Sequence, residues 1–204
     1  MGEPLGLAFY NRDAREVAQD LIGKILVRQT RNITLRVRIC EVESYLGEFD
    51  QASHAYRGRT PRNSVMFGPF GHLYVYLTYG MHYCANIVTG EEGVPQAVLL
   101  RAAQPLEGIA VMEANRQVKD LLNLCSGPAK LAQALAIGKL DNGTVLTGGQ
   151  IWLEDDGMRT PIASSPRIGI SRSTEALWRF YIPGSAFVSK KTALAKQSST
   201  THPK

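Results

Sequence analysis

The chain has 204 residues, 44% of them hydrophobic, and a formal net charge of +5. That is enough for one sizeable core, and no composition break divides it, so a single soluble domain is expected. Cys40, Cys84 and Cys125 are odd in number and form no C-x-x-C pair, which argues against a disulfide framework, a zinc ribbon or an iron–sulfur cluster and fits a reducing cytosol.

No apolar run approaches the ~20 residues of a membrane span, and the N-terminus lacks the basic and apolar regions of a signal peptide. The charge is unevenly placed. Residues 189–204 hold Lys190, Lys191, Lys196 and Lys204 and no acid, leaving 19 basic against 18 acidic residues elsewhere. A folded body over 1–188 and a solvated, basic, disordered tail over 189–204 are therefore expected. Between Asp50 and Glu91 there is no carboxylate, yet Arg57, Arg59, Arg62, three of the four His and seven of the sixteen aromatics lie there. Arginines that neutralise phosphates and rings that stack on bases are what polyanion binding requires.

In chain order, Asp13 with Glu16 three residues on reads as a capping box. Ala14, Val17, Ala18, Leu21 and Ile22 then mark a short amphipathic helix ending at Gly23. Lys24 to Thr30 and Thr34 to Leu46 read as strands joined around Arg31-Asn32. In the second, Val37, Ile39, Glu41, Glu43 and Tyr45 share one face by period two, so a face that begins apolar ends in two carboxylates and a tyrosine. Either a bulge near Cys40 exchanges the faces, or a carboxylate is held where apolar burial would continue. Partial desolvation raises a carboxylate's pKa, which suits a general base near neutral pH; a solvated carboxylate at a strand end is the plainer alternative.

A Gly- and Pro-punctuated loop, 47–69, carries His54 and the run R57-G-R-T-P-R-N63. Its arginines can reach phosphates bidentately or simply be solvated, and His54 is either a structural residue or a donor, with no His/Cys cluster beside it to make a metal site. Leu73 to Thr78 and Met81 to Val88 alternate at period two around Tyr79-Gly80, a tight β-hairpin in which Gly80 supplies a positive φ. Tyr79 stands at the apex, either folded back along the hairpin or free to act as a wedge. Ala97 to Leu100 reads as a short buried strand ending at Arg101, a charge that must pair with a carboxylate or help hold water or phosphate. Leu106 to Leu122 has helical periodicity. Ser126 and Gly127 precede Pro128 at another helix start, where free N–H groups and Lys130 offer a phosphate site or an ordinary cap. One short strand is expected near Ile151-Trp152-Leu153, and closing strands at Arg167 to Ile170 and Leu177 to Ile182. There is no internal repeat, G-x-G-x-x-G, P-loop or helix-hairpin-helix, and nothing suggests a nucleotide cofactor.

The motifs E41-V-E-S-Y-L-G47, H54, T60-P-R-N63, M66-F67, L73-Y-V-Y-L-T-Y-G-M81, C84-A-N86, V98-L-L-R-A-A-Q-P-L-E-G108 and L124-C-S-G-P-A-K-L131 stand in one order and spacing. Together, over about Leu7 to Ser189, they resemble the alkyladenine (3-methylpurine) DNA glycosylases. The resemblance implies an α+β fold: one mixed domain with a curved antiparallel sheet, flanking helices and a protruding, DNA-inserting hairpin. It implies a monofunctional base-excision-repair enzyme, without metal or cofactor, that flips alkylated or deaminated purines from duplex DNA and hydrolyses the N-glycosidic bond. By the same resemblance Glu43 activates water, Arg101 helps hold it, Tyr79 intercalates, and Tyr45, His54, Tyr76 and Asn86 line the base pocket. Arg57, Arg59, Arg62, Ser126 and Lys130 are the candidates for the DNA backbone. A monomer is expected, in the cytoplasm of a bacterium or the nucleus of a eukaryote, with double-stranded DNA as partner and no membrane. His82, standing where an aromatic often follows Gly-Met, bears on substrate range. The rival reading is a non-catalytic module that probes helix distortion with the same hairpin, for which Glu43 would be dispensable and Tyr79 not.

Overall fold

The computed structural model describes residues 2–30 and 32–189; the lysines of the expected tail lie outside the described residues. After a two-residue strand β1 (Glu3–Pro4), the Asp13 side chain accepts from the Arg15 backbone N–H and caps α1 (Ala14–Leu21), whose Ala14, Val17, Ala18 and Leu21 are buried. Strands β2 (Ile25–Gln29), β3 (Thr34–Tyr45), β4 (Leu73–Thr78), β5 (His82–Thr89) and β6 (Gln96–Glu107) follow. Then come α2 (Ile109–Arg116), α3 (Leu121–Leu124), α4 (Pro128–Ala134), β7 (Thr147–Gly148), β8 (Ile151–Asp155), β9 (Ala163–Ser165) and β10 (Arg179–Tyr181). The strands form one antiparallel sheet in the order β1-β8-β2-β3-β6-β5-β4, with β10 beside β3, β9 beside β10 and β7 beside β8. The fold is α+β, as expected.

The main core covers one face of the sheet, where Val37, Ile39, Val42, Ile87, Val98 and Leu100 join residues of α1 and α4. A smaller cluster of Ala55, Met66, Tyr74, Val88 and Ala97 lies where the 47–69 loop meets the sheet. The two faces exchange within β3. Its pairing with β6 shifts register on both sides of Glu41, so Val37 and Ile39 before the bulge and Val42 after it all reach the core. The expected single face from Val37 to Tyr45 is thus corrected. A bulge does exchange the faces, and the carboxylates it turns out of the core are buried all the same.

Three further expectations need correction. The strand read as Ala97 to Leu100 runs to Glu107 and places Arg101 in mid-strand; from Ala97 to Ala103 both faces are buried, so no alternation marks it as strand. Its length takes the start of the segment read as helix from Leu106, and Gly108, at φ 76°, makes the turn into the shorter α2. Arg167 to Ile170 forms no strand, because Arg167 is drawn inward by an ion pair; the strand lies earlier, at β9.

Register places the chemistry in a line. Tyr74 pairs with Asn86, Asn86 with Leu99, Leu99 with Glu43, and Glu43 with Arg179. Directly opposed residues share a face, so this row crosses five strands on the side away from the main core.

Candidate active site

A cavity of about 390 Å³ opens on that side, lined among others by Tyr45, His54, Arg62, Tyr76, Tyr79, Asn86 and Arg101. The size suits a small organic ring system. The His54 and Tyr76 rings meet edge to face with centroids 4.4 Å apart, and His54 Nδ1 lies 3.2 Å from the Tyr74 hydroxyl. Surrounding protein and the Arg62 charge pull the His54 pKa down, so its imidazole is neutral near pH 7. Burial pushes the Tyr74 hydroxyl up to about 12 and Tyr76 higher still. Both are neutral phenols. Asn86 gives Nδ2 to the Tyr74 carbonyl at 3.1 Å, which fixes its amide against the cavity wall.

At the hairpin tip the Met81 N–H closes a turn on the Thr78 carbonyl at 3.2 Å, with Tyr79 at φ 49° and Gly80 at φ 68°. A left-handed backbone suits Gly80 but costs a tyrosine about 1–2 kcal/mol. The turn projects Tyr79 88% exposed, so it is not folded back along the hairpin. Arg62, from the cavity wall, braces the hairpin by giving Nη2 to the Leu77 carbonyl at 2.8 Å.

Behind the cavity Glu43 is fully buried. Its Oε2 accepts from the Tyr45 hydroxyl at 2.9 Å and from Arg101 Nη1 at 3.2 Å, and its Oε1 accepts from the Ile168 N–H at 2.7 Å. A carboxylate offers about four acceptor sites. Described residues fill three of them. Arg101 also gives Nε to Glu41 Oε1 at 3.1 Å, and Glu41 accepts in addition from Arg179 Nε at 2.7 Å and from the Ser189 N–H at 2.5 Å. Burial alone would raise the Glu41 pKa, but the Ser189 N–H, Arg179 and Arg101 outweigh it and hold it below the usual range. Burial and the Glu43 carboxylate together push the Tyr45 phenol well up.

Comparison with known sequences places the chain. The methylpurine-DNA glycosylase (MPG) family profile matches residues 8–186. The chain belongs to that family. Relatives include proteins of Chlorobaculum parvum, 52% identical over 91% of this chain and 90% of their own, and Burkholderia lata, 47% identical over 92% of each. One from Alkaliphilus oremlandii is 44% identical over 90% of this chain and 97% of its own. All three bear the provisional name 3-methyladenine DNA glycosylase. The protein is a DNA glycosylase, a hydrolase of N-glycosyl bonds whose substrate is DNA.

The glycosylase brings Tyr45, His54, Tyr76, Asn86 and Arg101 to one cavity, with Glu43 directly behind Tyr45 and Arg101 and Tyr79 at the rim. Arg57 and Arg59 are exposed and bond to no described residue. Ser126 and Lys130 turn inward to Asn123, with Ser126 Oγ 3.5 Å from Asn123 Oδ1. Sequence reading missed the Ile168 N–H, Glu41, Arg179 and Ser189, whose partners lie far along the chain. It placed Ser189 in the tail, whereas that residue is bonded to Glu41. Among the described residues no group of three or more His, Cys, Asp or Glu could hold a metal ion, and no helix is long and apolar enough to cross a membrane.

Proposed function

We propose that this glycosylase acts as a monomer on duplex DNA, extrudes alkylated or deaminated purines such as 3-methyladenine and hypoxanthine, and hydrolyses their N-glycosidic bond with water activated by Glu43. The observation that carries this reading is a fully buried carboxylate, held by Tyr45, Arg101 and the Ile168 N–H with a fourth acceptor site that no described residue fills, directly behind an aromatic-lined cavity. The names of the relatives support the substrate class.

A base inside a duplex cannot be reached, so it must be flipped out, at a cost of a few kcal/mol that is lowest for damaged or mispaired bases. Tyr79 supplies the wedge that fills the gap, and Arg57 and Arg59 meet the phosphates. In the pocket, stacking on Tyr45 and Tyr76 returns ~1–3 kcal/mol, and neutral His54 bonds the base edge. Asn86 stands where a 2-amino group would intrude, disfavouring guanine. As the purine leaves, positive charge grows on the sugar. Glu43 stabilises it and takes the proton of the attacking water, while Arg101 orients both. Among the described residues no lysine lines the cavity, which supports hydrolysis that leaves an intact abasic site over imine formation.

Single-turnover assays on labelled duplexes test the reading: hypoxanthine or 3-methyladenine is released, and normal guanine is not. Binding of lesion duplex without release of either base would favour the distortion-probing module instead. Tyr79→Gly separates wedge from fold. Relief of the left-handed strain is expected to leave thermal stability unchanged or raise it by up to ~1 kcal/mol, while base release falls. Undiminished release would remove Tyr79 from the mechanism.

A further inference from the structure

Behind Tyr45 lies a charged stack that the proposed reaction does not use. Arg167 and Asp50 are both buried, and Arg167 gives Nη1 and Nη2 to the two Asp50 oxygens at 2.5 and 2.8 Å. A third bond runs from Nη1 to the Ser44 carbonyl at 3.0 Å. The guanidinium carbon is 4.6 Å from the centre of the Tyr45 ring and 5.0 Å from that of Trp178, so the cation stacks against both. The Tyr45 hydroxyl is tied to Glu43. The next residue, Ile168, holds Glu43 through its N–H, and Gly169 and Ile170 line the cavity.

Tyr45 is thus fixed at its tip by Glu43 and braced on its ring by a full positive charge, which arginine cannot lose by deprotonation. A purine stacked on Tyr45 would lie within reach of that charge. We infer that the Asp50–Arg167 pair sets which purines the pocket accepts. Arg167 makes Tyr45 a fixed platform, and the extent to which Asp50 neutralises Arg167 decides how well a cationic purine is held relative to a neutral one. The inference rests on the purine-binding reading of this cavity. Arg167 and Asp50 are positioning residues, since neither lines the cavity.

Removing only the neutralising partner, in Asp50→Asn, leaves the Arg167 charge exposed to the stacked base. At about 8 Å and an effective dielectric constant of about 20, that charge lowers the ratio of 3-methyladenine to hypoxanthine release on the order of tenfold. Asn keeps an acceptor for the Ala52 N–H that Asp50 now serves at 3.0 Å. Adding Arg167→Met removes the cation as well, and the ratio rises roughly twofold above the wild-type value, because the cation stacked on Tyr45 lies nearer the base than the carboxylate that offsets it. The test is single-turnover release of both purines by the wild type, Asp50→Asn and the double variant, with thermal melting of each. The double variant buries no unpaired charge, so it carries the test even if Asp50→Asn does not fold.

Purely structural damage would lower both rates in proportion and grow with the second substitution. A ratio that is constant across the variants, or lower in the double variant than in the wild type, overturns the inference. If the wild type releases neither purine, the reading of the cavity falls and takes the inference with it.

Discussion

Glu43→Gln is expected to bind lesion-containing duplex as the natural enzyme does and to release its base about 10²–10⁴-fold more slowly in single turnover. The amide keeps the shape of the carboxylate and still accepts from the Ile168 N–H, and Arg101 retains its second carboxylate at Glu41. Binding and fold are therefore preserved while the capacity to take a proton from water is lost. The comparison requires enzyme in excess over DNA, so that product release does not mask the chemical step. Release at the natural rate would show that Glu43 only anchors Arg101 and Tyr45. The same variant separates the glycosylase mechanism from a distortion-probing module, for which this carboxylate would be dispensable.

Glu41→Ala is expected to give the largest loss of stability. It strips Arg101 of one carboxylate and removes the Glu41 contact of Arg179, both buried. Breaking a buried ion pair from one side costs about 3–5 kcal/mol, because the guanidiniums of Arg101 and Arg179 stay buried with one carboxylate fewer to offset them. In a domain of this size that corresponds to a fall in melting temperature of roughly 6–20 °C. The contribution also has a pH signature. The folded-state pKa of Glu41 is depressed, so its stabilisation is fully present above the ordinary carboxylate value of 4.5 and is lost as pH falls through the lower folded value. The melting temperatures of the wild type and Glu41→Gln should accordingly converge on acidification from about pH 4.5 downward. A gap that is constant with pH would mean that the ionised form of Glu41 contributes nothing.

The elements legible in the sequence are those whose signals are local. Helix α1 announced itself by Asp13 and an apolar period, and the β4–β5 hairpin by strict alternation around Gly80. Strand β6 was half hidden, since a strand covered on both faces has no alternation to show. The bulge in β3 was visible only as a conflict between an apolar face and two carboxylates. Of the site, the residues on β3, β4 and β5 followed from motif order. The anchoring set did not: Ile168 meets Glu43 across 125 positions, Ser189 meets Glu41 across 148, and Arg167 meets Asp50 across 117. Pairs this distant carry no periodic signal, and only folding reveals them.

The hairpin that carries Tyr79, the cavity wall and Glu43 all ride on neighbouring strands of one hydrogen-bonded sheet, β4, β5, β6 and β3. Backbone pairing runs from one strand to the next, so on the proposed reading the protein presents a template and the nucleic acid supplies the deformation. Discrimination then begins as a mechanical property of the substrate. Weakly paired or poorly stacked positions bend and unstack at less cost, and reach the template more often than sound ones. Encounter would screen for helix compliance before any contact reads the identity of the base.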